Sequence, residues 1–151
     1  MKFLVLIGYA MVFLSSFGMS DLQTFRHNYG KVVSDKMLCE KMLKDLEKAK
    51  NNSPIYLGYL GAYQTIWANH VFNPLEKLNT FRKGKKNIEQ AINQQPKNVE
   101  LRFIRFSVQK KAPSFLGYRS HLKEDEEFIR KNRDAISSEI VNKNIDALLK
   151  D

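Results

Sequence analysis

The sequence predicts an all-α fold of five to seven helices in antiparallel hairpins. Three observations carry that prediction. Past residue 20 the apolar residues recur with helical period, and no stretch alternates with the period of two that a half-buried strand requires. Ser53-Pro54 and Asn73-Pro74 each join a capping residue to a proline suited to the first helical position. Polar linkers, Asn51-Asn52 and Gln95-Pro96-Lys97 among them, divide the periodic runs.

The first 20 residues read as an export signal. Met1-Lys2 is a short positive start, Phe3 to Leu14 an apolar run and Ser15 to Ser20 a small-residue exit. Gly18 and Ser20 stand at the two recognition positions of a cut before Asp21, an arrangement that signal peptidases accept. The run is too short for the ~30 Å bilayer core, which needs roughly 20 apolar residues. The expected organisation is a signal peptide over 1–20 and a single helical domain over 21–151, exported to the periplasm or the extracellular space. The lone cysteine, Cys39, excludes a disulfide framework within the chain. It lies too far beyond the apolar run for a lipid anchor, and its helical neighbours Met42, Leu43 and Leu46 mark it as a small buried hydrophobe.

Each periodic run defines a helix. Leu22, Phe25, Tyr29, Val32 and Val33 share one stripe. Ser34 is placed to cap a second, with Leu38, Cys39, Met42, Leu43, Leu46 and Ala49 on its apolar side. The run from Pro54 to His70 is apolar nearly all round. Tyr56, Tyr59, Leu60, Tyr63, Ile66 and Trp67 fill one side, and Gly58, Gly61, Ala62, Thr65 and Ala68 fill the other. A helix buried on both sides is central, and the small side invites close approach by a neighbour. A membrane span with a Gly58–Ala62 contact is the competing reading. Gln64, Asn69, His70 and the tyrosines along the run argue against it. Pro74 to Gln94 presents Leu78, Phe81, Gly84, Ile88, Ala91 and Ile92. Asn98 caps a helix from Val99 to Lys110, Ser120 one to Arg133, and Ser137 or Ser138 a last one ending at Leu149.

The run Gly84…Ile88…Ala91-Ile92…Pro96…Asn98…Glu100 resembles the second helix of a tetratricopeptide repeat and its exit into the next. The first-helix tryptophan, glycine and tyrosine of that family do not recur here at its 34-residue period. The order of signal, helices and a Pro-Ser-Phe-Leu-Gly-Tyr loop is also similar to small exported bacterial helical proteins of no assigned activity. Both resemblances imply stacked helical hairpins, and neither implies catalytic residues.

Basic side chains outnumber acidic ones 25 to 16, a net charge of +9, and the signal removes only one lysine of that excess. The densest basic run, Arg82, Lys83, Lys85 and Lys86, has no aromatic interleaving. It reads as a solvated helix face, with a phosphate or lipid-headgroup patch as the alternative. His27, His70 and His121 are dispersed, and no nucleophile elbow, phosphate-cradling loop or dinucleotide fingerprint occurs. No metal and no cofactor are expected, and export argues against a nucleic-acid partner.

Two groups of residues stand out. Asp125 projects between Leu122, Phe128 and Ile129 on the apolar side of its helix, where a carboxylate is costly unless paired. Arg102 and Arg105, with Gln109 on the same stripe, are the expected partners, since a guanidinium fork suits a carboxylate. They form an internal clamp, or an anion site for a ligand carboxylate or phosphate, or else snorkel to solvent. Phe115, Leu116 and Tyr118 are too apolar for an idle turn and either plug the core or anchor a partner. The function expected is a non-catalytic exported module that binds a protein or envelope component through a groove between hairpins. The alternative is a small-ligand or hydrolytic site centred on Arg102, Arg105 and Asp125.

Overall fold

The computed structural model describes residues 21–49 and 51–151, so the expected signal peptide lies outside the described residues. Among these described residues seven α-helices occur, in the order α1 Asp21–Asn28, α2 Lys36–Lys48, α3 Pro54–His70, α4 Pro74–Gln94, α5 Val99–Lys111, α6 Leu122–Lys131 and α7 Glu139–Lys150. Short 3-10 turns lie at Lys31–Val33, Ser114–Leu116 and Arg133–Ala135, and no strand occurs among the described residues. The all-α expectation of five to seven helices holds.

Caps define most helix starts. Asn73 accepts from the backbone N–H groups of Leu75 and Glu76, Asn98 from Leu101, and Ser138 from Val141. Three expected starts differ. Asp35, not Ser34, caps α2 by accepting from Leu38, because the 3-10 turn through Val33 consumes Ser34. Ser53 precedes Pro54 in an extended conformation, yet its hydroxyl makes no cap bond. Ser120 stands too early to cap α6, and its hydroxyl meets the His121 ring instead. The first stripe also breaks. Helix α1 stops at Asn28, and the 3-10 turn that follows buries Val32 but leaves Val33 59% exposed.

Helix α3 is the centre of the fold, in contact with α2, α4 and α5. Its partner α4 runs antiparallel, with Gly61 backed onto Gly84 and Gln64 accepting from Asn87 Nδ2 at 2.8 Å. An ideal Cβ built on Gly61 would stand 2.5 Å from the Gly84 carbonyl oxygen, so the two backbones touch only because both residues lack side chains. Gly58 faces Leu101 and Ile104 of α5. On the aromatic side Tyr59 and Tyr63 are fully buried, and the Tyr63 hydroxyl donates to the Phe25 carbonyl of α1 at 2.8 Å. Tyr29 meets Tyr59 edge-on with ring centroids 5.7 Å apart, and Phe103 at 6.0 Å. Cys39 is buried under α3, and burial pushes its thiol up to about 12, where it is no nucleophile at neutral pH. Among the described residues no helix is long and apolar enough to cross a membrane.

Candidate functional site

Helices α5 and α6 pack antiparallel, which brings the predicted charge cluster together. Arg105 donates from Nε to Asp125 Oδ2 at 2.7 Å and from Nη2 to Oδ1 at 2.8 Å, a two-pronged pair. Arg102 Nη1 adds a third bond to Oδ1 at 2.8 Å and also reaches Glu124 at 2.9 Å. The remaining Arg105 prong meets Glu89 of α4 at 3.0 Å, and Glu89 in turn accepts from the Tyr118 hydroxyl at 2.7 Å. Asp125 is fully buried and Arg105 nearly so. Burial opposes the charge on Arg105, but the bonds to Asp125 and the nearby Glu89 outweigh it and hold its pKa above the usual value. The cluster is a closed clamp tying α4, α5 and α6 to the loop at Tyr118. Gln109 extends the stripe by accepting from the His121 backbone N–H at 3.1 Å, while its own Nε2 is buried without a partner.

A second buried ionic network went unread in the sequence. Glu100 is buried on the side of α5 away from the arginine stripe. Arg26 of α1 donates to both Glu100 oxygens, at 2.7 and 2.6 Å, and the Tyr59 hydroxyl donates to Oε1 at 2.7 Å. The available signal was a glutamate between Val99 and Leu101 on a helix with apolar residues on several sides. A polar cleft of about 300 Å³ opens beside this network, lined by Lys97, Asn98, Ser137 and Ser138.

Several phenols are held neutral by these arrangements. Burial pushes Tyr29 up to about 12. Burial, reinforced by Glu100 at Tyr59 and by Glu89 at Tyr118, raises both above the ordinary tyrosine value near ~10. A raised folded pKa contributes stability that is complete below the unfolded value and drains away as pH climbs towards the folded one. Stability is therefore expected to fall steeply above about pH 10. Denaturant unfolding repeated through this range measures it, and an unchanged midpoint near pH ~11 would show that these phenols ionise without unfolding.

The Pro113 to Tyr118 loop divides in two. Tyr118 plugs the core, 2% exposed, with its ring edge-on to Phe81 at 6.1 Å and Lys85 Nζ over its other side at 4.9 Å. Phe115 is 84% exposed and Leu116 half-buried. Gly117, with φ of 64°, turns the chain between them. Both Phe115 and Leu116 line an open groove of about 930 Å³.

No protein-family model, curated protein or solved structure matches this chain. The groove itself is wide and apolar. Its floor holds Phe103, Ser107 and Tyr29, its walls Ile66, Ala68, Leu78 and Phe81, and its rim Val33 and Phe115. Of the exposed large apolar side chains, Val33 and Phe115 line the groove, while Phe72, 93% exposed, and Leu75 stand near the groove residue Pro74 in sequence. Arg102, Arg105 and Asp125 line neither the groove nor the polar cleft. The basic run on α4 faces solvent at Arg82, Lys83 and Lys86, with Lys85 turned to Tyr118. No group of His, Cys, Asp and Glu among the described residues is placed to hold a metal ion.

Proposed function

We propose that this chain is a non-catalytic exported helical module that binds a protein or envelope component through the apolar groove between its helices. The observation that carries the reading is the coincidence of the 930 Å³ groove with exposed Val33 and Phe115 on its rim. Soluble domains seldom leave such residues gathered round a concavity unless something covers them. Closure of the arginine clamp supports the same reading, because its guanidinium groups are already turned to Asp125, Glu124 and Glu89.

Val33→Asp combined with Phe115→Asp tests it. Both positions are exposed, so stability is expected to change by only about 0.5 kcal/mol or less per site. Tagged mature protein incubated with its native envelope fraction should retain a component that the double variant, equally folded, releases. Identical retention by parent and variant would remove the groove from the function.

A further inference from the structure

We propose that the groove takes a single-chain anionic amphiphile, a long-chain carboxylate, with its chain along the apolar walls and its head at Lys77. The proposal rests on the groove reading above and names the occupant. A volume of about 930 Å³ lies at the upper end of small-molecule sites, which run from roughly 300 to 1,000 Å³.

The walls select a chain. The polar side chains of the floor are already engaged: the Tyr29 hydroxyl lies 2.7 Å from Ser107 Oγ, and Ser107 donates to the Ile104 carbonyl at 2.7 Å. Thr65 donates to the Ala62 carbonyl at 2.7 Å, and Asn144 Nδ2 to the Arg26 carbonyl at 3.1 Å. Among the described residues Asn69 is the one amide on the lining not so engaged, too little to satisfy the successive backbone N–H and C=O groups of an extended peptide, which need partners once withdrawn from water. A methylene chain needs none.

Charge selects the head. The charged side chains that line the groove are Lys77, Lys111 and Asp151. Lys111 and Asp151 pair with each other at 3.2 Å, and Lys77 has no ion-pair partner among the described residues. A lone ammonium beside apolar walls, in a basic chain, attracts a carboxylate and repels a cationic head. Lys77 also stands one turn beyond the groove residue Pro74 and is only half-buried, so a head there can stay in contact with water while its chain is covered.

Fluorescence titration of the mature protein with 11-(dansylamino)undecanoic acid, followed by displacement with saturated carboxylates of increasing length, tests the proposal. Affinity is expected to rise about fourfold per added methylene until the groove is full. Lys77→Glu should weaken carboxylate binding about tenfold and leave the matched alcohols unchanged, while Lys77→Arg retains it. Phe115→Asp should weaken acids and alcohols together. Equal binding of acids and alcohols, or an unaltered Lys77→Glu variant, would overturn the assignment of the head. If no amphiphile binds while envelope capture still depends on Val33 and Phe115, the groove stands, its occupant is a protein segment and the present proposal falls. If neither depends on the groove, both readings fall.

Discussion

Asp125→Ala is expected to lower stability by about 3–5 kcal/mol, the cost of stripping a buried ion pair of one partner. The carboxylate is fully buried and accepts from both arginines, so its removal leaves Arg105 with Glu89 alone. The neighbouring Glu124→Ala should cost only about 0–1 kcal/mol, since Glu124 is solvent-exposed and its pair with Arg102 is screened. Adding Arg105→Met to Asp125→Ala should recover part of the loss by removing both charges, although Glu89 then keeps only its bond from Tyr118. Arg102→Met is the weaker companion, because Arg102 makes one bond to Asp125 where Arg105 makes two. Chemical denaturation of this set decides between a clamp and an idle pair. If Asp125→Ala behaves like Glu124→Ala, the carboxylate is not buried in solution and the arginines are free to bind an anion.

Legibility followed how local the signal was. Caps at Asn73 and Asn98, the proline starts and the bilateral burial of α3 are set within a turn or two of chain, and the sequence shows them. The clamp is readable because Asp125 violates the apolar side of its own helix, and two arginines at i, i+3 interrupt the preceding one. Glu100 breaks the same rule but has its partner in α1, 74 residues away, and a capped helix start offers an innocent use for a glutamate. The groove was the least legible feature. Its lining comes from α3, α4, α5 and α7, together with two 3-10 turns, and Val33 reaches the rim only because α1 ends before the apolar stripe does. The apolar composition of the loop treats Phe115, Leu116 and Tyr118 alike, yet they part company at Gly117, where a left-handed backbone sends Tyr118 inward and leaves Phe115 outside.

Gly61→Leu should be the most damaging single change outside the clamp. A Cβ at this position would lie 2.5 Å from the Gly84 carbonyl oxygen and 2.9 Å from the Ile88 backbone nitrogen, and neither can move unless α4 moves. The branched side chain must therefore part the central hairpin, and overpacking of this kind costs about 1–3 kcal/mol or more. That is a sizeable share of a total near 5–15 kcal/mol. Even Gly61→Ala should destabilise, and so should Gly84→Ala, whose Cβ would meet the Gly61 carbonyl at 2.5 Å. Gly58→Ala is a graded control, because the atom it meets at 2.5 Å is the far end of the Leu101 side chain, which can turn aside. Gly30→Ala is the opposite control: its φ of −74° suits any residue and nothing lies within 4 Å, so it should be neutral or stabilise by about 0.4–1 kcal/mol. The order of thermal midpoints, with Gly30→Ala highest, Gly58→Ala between and Gly61→Leu lowest, measures how closely α3 and α4 approach. A Gly61→Leu midpoint equal to the parent's would mean that the two backbones are not in contact.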